Sequence, residues 1–140
     1  MTFSSNEHID IDFEKLKASI GHEDVVPVVV QDHQSKEVLM VAFVNEQALE
    51  ESFKRGVAVF WSTSRQTLWI KGETSGDTLK LVDVRTNCYG NSLLFIVELV
   101  GEGMCHTKDG QGVSRFSCYY RHLKSSHRTE MITSPPCTGS

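Results

Sequence analysis

The chain has no apolar run approaching the roughly 18 residues that span a bilayer as a helix, which predicts no membrane partner. Its opening residues, Met1 to His8, hold neither a basic stretch nor an apolar core, so no secretory signal and a cytoplasmic setting are expected. An excess of positive charge is also missing. Fourteen Lys and Arg against 18 Asp and Glu leave a formal net charge of −4, which argues against broad nucleic-acid or anionic-membrane binding. A local basic pocket for one phosphate remains compatible with that balance. No internal repeat is visible. Cysteine is sparse, four in 140 residues with no C-x-x-C pair, and in a cytosolic chain metal thiolates are then expected over a disulfide framework.

What is present describes an ordinary globule, with 39% hydrophobic and 23% charged residues. The length suits one domain, expected over 1–123, near the size at which a dimer interface helps bury apolar surface. Residues 124–140, with Ser134-Pro135-Pro136-Cys137 near the end, read as a solvated tail.

Periodicity predicts an α+β fold, mainly antiparallel β-sheet with one or two helices. Ile11, Phe13, Leu16 and Ile20 give near-helical spacing over 10–20. Five valines around Pro27 predict an early or edge strand over 25–31 in preference to a central one, because proline cannot donate to a ladder. The turn at 32–35 returns the chain into a strand over 38–44. Asn45 can cap a helix whose Glu46 and whose Lys54 and Arg55 suit the two ends of the dipole, with Gly56 as its left-handed stop. Leu49 and Phe53, four apart, are expected to share its buried face. Strands follow over 57–62, 67–71, 78–85, 92–101 and 116–120, joined by short turns that favour antiparallel pairing.

Three cysteines fall near strand ends, Cys88 preceding Cys105 by 17 residues and Cys118 following it by 13. If those ends converge, three thiolates suit zinc, which favours soft sulfur and leaves its fourth position to water. Spacing alone favours isolated buried thiols over a shared metal.

The residues from Val38 to Arg121 resemble the phosphoribosyl-AMP cyclohydrolase family. The resemblance rests on V-L-M-V-A-F at 38–43 with N-E-Q-A-L at 45–49, L-W-I-K-G-E-T-S-G at 68–76, Cys105-His106, and S-C-Y at 117–119. It implies a hydrolase that adds water to C6 of an N1-substituted adenine and opens the N1–C6 bond. It further implies Zn²⁺ on Cys88, Cys105 and Cys118, and a homodimer whose zinc sites draw cysteines from both subunits.

The chain departs from the family where D-C-D-x-D holds magnesium. Asn87, Tyr89 and Asn91 flank Cys88 instead, and because Mg²⁺ wants hard, charged oxygens, Mg²⁺ is not expected. The connection from Cys105 to Cys118 is longer than in bacterial members, and Thr63 stands where the family usually has arginine.

Three thiolates temper the Lewis acidity of zinc, so a nearby proton-transfer group should matter. His106 adjoins Cys105, although adjacent strand residues face opposite sides. Asp77 is a second candidate base, competing with a solvated turn carboxylate. Lys71, Gly72, Glu73, Thr74 and Ser75 combine a cation, hydroxyls and backbone amides suited to phosphate or ribose. Arg65 and Arg121 are candidate phosphate clamps. Trp69 offers a face for a purine, against simple core packing. The partner expected is thus a small heterocycle or nucleotide. Besides the parent reaction, a diverged hydrolase or deaminase on a related heterocycle and a non-catalytic zinc-stabilised binding protein stay open.

Overall fold

The computed structural model describes residues 24–74, 76–101, 110–111, 116–125 and 128–131. The helix expected over 10–20, Ser75, Cys105, His106 and Cys137 lie outside the described residues.

The architecture is α+β, with antiparallel pairing dominant and one helix among the described residues. Strands β1 (Val26–Asp32), β2 (Val38–Val44), β5 (Leu79–Thr86) and β6 (Leu93–Leu99) form a sheet in the order β2-β1-β6-β5. β1 pairs antiparallel with β2 but parallel with β6, and β5 pairs antiparallel with β6. β3 (Val59–Ser62) and β4 (Thr67–Ile70) make a separate hairpin. It is tied to the sheet where Ala58 N donates to Leu79 O over 2.8 Å and Leu81 N donates to Gly56 O over 2.9 Å.

β1 is the first strand among the described residues, as expected, but it is central in its sheet and not at an edge. Its alternating Val28 and Val30 are wholly buried, and it runs in the middle of the sheet. Proline is tolerated because Pro27 pairs only with Phe43 of β2; pairing with β6 starts one residue later, at Val28. β6 buries Phe95, Ile96 and Val97 in succession, as a strand covered on both faces does.

Helix α1 (Glu46–Arg55) starts and stops as its sequence dictates. Asn45 Oδ1 accepts from Ala48 N at 2.8 Å, and Gly56, at φ 72°, donates its N–H to Ser52 O. The buried face differs from expectation. Ala48 and Ser52 point inward, Leu49 is half-buried and Phe53 is 63% exposed. Ser52 explains the rotation: its buried hydroxyl accepts from Val59 N at 2.9 Å and lies 3.1 Å from Val59 O, fastening that face to β3.

The core gathers Val28, Val30, Leu39, Val44, Ala48, Phe60, Leu79, Phe95 and Val97 between sheet, hairpin and helix. Residues 116–120 are irregular instead of a strand. The expected boundary at 123 falls inside β7 (Arg121–Ser125), which pairs antiparallel with β8 (Arg128–Met131) where a solvated tail was expected. No helix among the described residues is long and apolar enough to cross a membrane.

Candidate active site

The hairpin β3–β4 and the loop behind it build a cavity of about 380 Å³ lined by Arg65, Leu68, Trp69, Ile70, Gly72, Glu73 and Thr74. Its polar wall follows from local chemistry. Ser62 ends β3 and its hydroxyl accepts from Arg65 N at 3.2 Å, setting the turn that aims Arg65 at the opening. Glu73 N then donates to Ile70 O, and Gly72 takes φ 78°, so the chain leaves β4 in a tight bend. Trp69 supplies the apolar wall. Its ring centroid lies 5.0 Å from that of Phe60, which in turn stacks at 6.0 Å on Phe95, so the indole is braced by the core.

Five of the substrate residues named from sequence, Arg65, Trp69, Gly72, Glu73 and Thr74, meet at this one cavity. Lys71 belongs to the same bend but does not line it. Arg121 lies at the start of β7 with its guanidinium 5.1 Å from the centroid of the Tyr120 ring, and is not among the lining residues. Leu68 and Ile70 were missed; in L-W-I they flank the tryptophan and share its strand.

Cys88 is exposed in the turn between β5 and β6. That turn is closed by amides. Asn87 Oδ1 accepts from Asn91 N at 2.9 Å and Ser92 N at 3.1 Å, while Asn87 Nδ2 donates to Asn91 Oδ1 at 2.7 Å. Tyr89, at the tip, is 87% exposed. The two asparagines are thus engaged with each other, an N-x-x-x-N pattern that sequence reasoning had treated only as lost charge.

Cys118 is held at the other side of the sheet. Its N–H donates to Leu39 O at 2.9 Å and the Ser117 hydroxyl to Val38 O at 2.8 Å, so this segment docks on the edge strand β2. Partial burial raises the Tyr119 phenol above its ordinary value, and negative charge at Cys118 acts in the same direction. Within one chain the two cysteines are far apart. β2 and β5 are the opposite edges of the sheet, with successive strands spaced about 4.8 Å apart. Cys88 also lies four residues beyond Val84, which shares a row with Met40 through Phe95 and Val30. Sulfurs on one tetrahedral zinc stand only about 3.8 Å from each other. Among the described residues no group of three or more His, Cys, Asp or Glu converges as a metal site.

Asp77 is half-buried and not among the lining residues; its backbone carbonyl packs against Gly72 and its carboxylate against Gly101.

Comparison with known proteins accounts for this arrangement. The family described as Phosphoribosyl-AMP cyclohydrolase matches residues 40–120, from β2 through the cavity and both described cysteines to Tyr120. A phosphoribosyl-AMP cyclohydrolase of Methanosarcina barkeri is 44% identical over 125 residues, covering 89% of each chain. One from Archaeoglobus fulgidus is 40% identical over 109 residues, 78% of this chain and 94% of its own. One from Hydrogenovibrio crunogenus is 38% identical over 126 residues, 89% of this chain and 80% of its own. With the family match spanning residues 40–120 and relatives 38–44% identical over 78–89% of the chain, the chain belongs to the phosphoribosyl-AMP cyclohydrolase family.

Proposed function

We propose that this protein opens the purine ring of phosphoribosyl-AMP by hydrolysis, the reaction of histidine biosynthesis for which its relatives are named, in the cytoplasm where such nucleotides are made. The observation that carries it is the cavity, in which one cation, one braced indole and a glycine bend meet in a chain of this family. A phosphate fits the Arg65 guanidinium with the Thr74 hydroxyl, and the flat base fits Trp69. Lys71, Ser75 and Arg121 complete the set assigned to substrate.

The chemistry asked of these residues is modest and definite. A water oxygen bonds to C6, the N1–C6 bond breaks with its electron pair going to N1, and N1 receives a proton. The exocyclic nitrogen stays on C6, which becomes a carboxamide. Of the two proton-transfer groups offered by the sequence, His106 and Asp77, we assign delivery to N1 to His106. Replacing His106 with alanine should lower kcat by about 10²–10⁴ with metal content unchanged.

The donor set fits zinc: Cys88 and Cys118 are exposed sulfurs, and Cys105 supplies the third. Bound there, zinc supplies Lewis acidity toward water near neutral pH. Because Cys88 and Cys118 lie at opposite edges of one sheet, their sharing a metal is supported only across two copies of the chain, which favours a homodimer with a site at each interface. Magnesium fits poorly, since Asn87 and Asn91 are neutral and already bonded to each other.

That amide pairing also favours a second reading, a diverged cyclohydrolase or deaminase acting on a related heterocycle without magnesium. Ring opening of phosphoribosyl-AMP, followed by ultraviolet absorbance on zinc-loaded protein with and without Mg²⁺, decides between them. Turnover indifferent to Mg²⁺ is expected. No turnover, with zinc bound tightly and a different heterocycle in the cavity, would establish the second reading; zinc with no ligand at all would leave a binding protein.

A further inference from the structure

Asp77 joins two parts of the fold that the sequence separates. Gly72 opens the bend after β4, and Gly101 follows β6. A methyl group on Gly72 would collide with the carbonyl carbon and oxygen of Asp77 and come within 2.6 Å of Thr78 N. One on Gly101 would overlap Asp77 Oδ1 and approach its Cγ to 2.7 Å and its Cα to 2.8 Å. Real side-chain carbons do not tolerate such distances, so both positions admit only glycine while Asp77 stays in place. Its backbone is packed under one glycine and its carboxylate lies over the other.

Hydrogen bonds close this junction on both flanks. Gly76 N donates to Gly72 O at 2.7 Å, and Val100 N donates to Thr78 O at 3.0 Å. Gly72 leads directly into Glu73 and Thr74, and all three line the cavity, whereas Asp77 does not. A base must reach the proton it moves within about 3 Å or through one water. The Asp77 carboxylate is turned onto the Gly101 backbone instead.

We infer that Asp77 is a positioning residue, a wedge that fixes the Gly72, Glu73 and Thr74 wall of the cavity against the end of β6, and is not the base of the reaction. Its effect on turnover rests on the proposed function; the wedge itself does not. A wedge acts through size and shape, both of which asparagine keeps. Alanine removes the volume and glutamate exceeds the space over Gly101.

The test compares wild type, Asp77→Asn and Asp77→Ala in steady-state ring opening across pH, together with amide hydrogen exchange. Asp77→Asn should keep kcat within about threefold and keep the shape of the pH profile. Asp77→Ala should raise KM about tenfold, with a smaller fall in kcat, and speed exchange of the Gly76 amide while β6 stays protected. Should Asp77→Ala fail to fold, Gly101→Ala, which presses on the same carboxylate from the other side, should reproduce the KM rise. A hundredfold loss of kcat in Asp77→Asn, with one limb of the pH profile gone, would make Asp77 the base and overturn the inference. Unchanged KM and unchanged Gly76 exchange in the folded alanine variants would overturn it as well. If wild type opens no ring, the proposed function fails alone, and the exchange comparison still decides the wedge.

Discussion

Ser52 and Asn87 are small polar residues whose side chains stand in for backbone hydrogen bonds. The Ser52 hydroxyl shares its hydrogen between the carbonyls of Ala48, at 2.9 Å, and Val59, at 3.1 Å, while accepting from Val59 N. Both the hydroxyl and its partners are buried, so Ser52→Ala leaves Val59 N–H without a partner in a dry place. That should lower stability by about 1–3 kcal/mol in urea denaturation, where a surface serine would register almost nothing. Asn87 closes the turn that presents Cys88, using its carbonyl for two backbone amides and its own amide for Asn91. Two aspartates there would set like charges where a 2.7 Å hydrogen bond now stands. The double substitution Asn87→Asp with Asn91→Asp should therefore lower the thermal midpoint in chelator and recover it in millimolar Mg²⁺, whereas wild type should not respond to Mg²⁺. An equal response from wild type would contradict the amide closure.

Helix α1 shows which features of an element can be read in advance. Its caps are local events, set by Asn45 three residues before Ala48 and by Gly56 four after Ser52, and both were legible in the sequence. Asn45→Ala should cost about 1 kcal/mol of stability by denaturation, because Ala48 N loses its acceptor. Which side of α1 faces inward was not legible. A phenylalanine outweighs a serine in any count of apolar residues, yet the hydroxyl-to-Val59 bonds turned Ser52 in and Phe53 out. The strand order escaped for the same reason. Pro27 argued for an edge, but β6 joins β1 from more than 60 residues away, in parallel and one residue past the proline. The cavity was more legible, because Trp69, Gly72, Glu73 and Thr74 fall within one six-residue stretch of a single motif whose glycine fixes the bend. The partnership of Asp77 with Gly101 was invisible, since it joins loops that only folding brings together.

For the whole molecule the decisive geometry is that one chain carries its described thiols at opposite edges of a sheet. Val38 and Val41, 40% and 45% exposed, lie on the same edge strand that Ser117 and Cys118 dock against, an apolar margin beside the Cys118 thiol. A second copy bringing Cys88 to that margin would cover it and complete the donor set. Cys88→Ser and Cys118→Ser homodimers should each lose tight zinc and turnover. Unfolding each variant and refolding them together tests the shared site most directly. In a mixed dimer both substitutions fall in one interface and the other keeps all of its cysteines. Zinc binding and ring opening should then return to roughly a quarter of the wild-type level from two inactive parents. Two variants that stay inactive together, or either one that holds full zinc alone, would contradict a centre built from two copies of this chain.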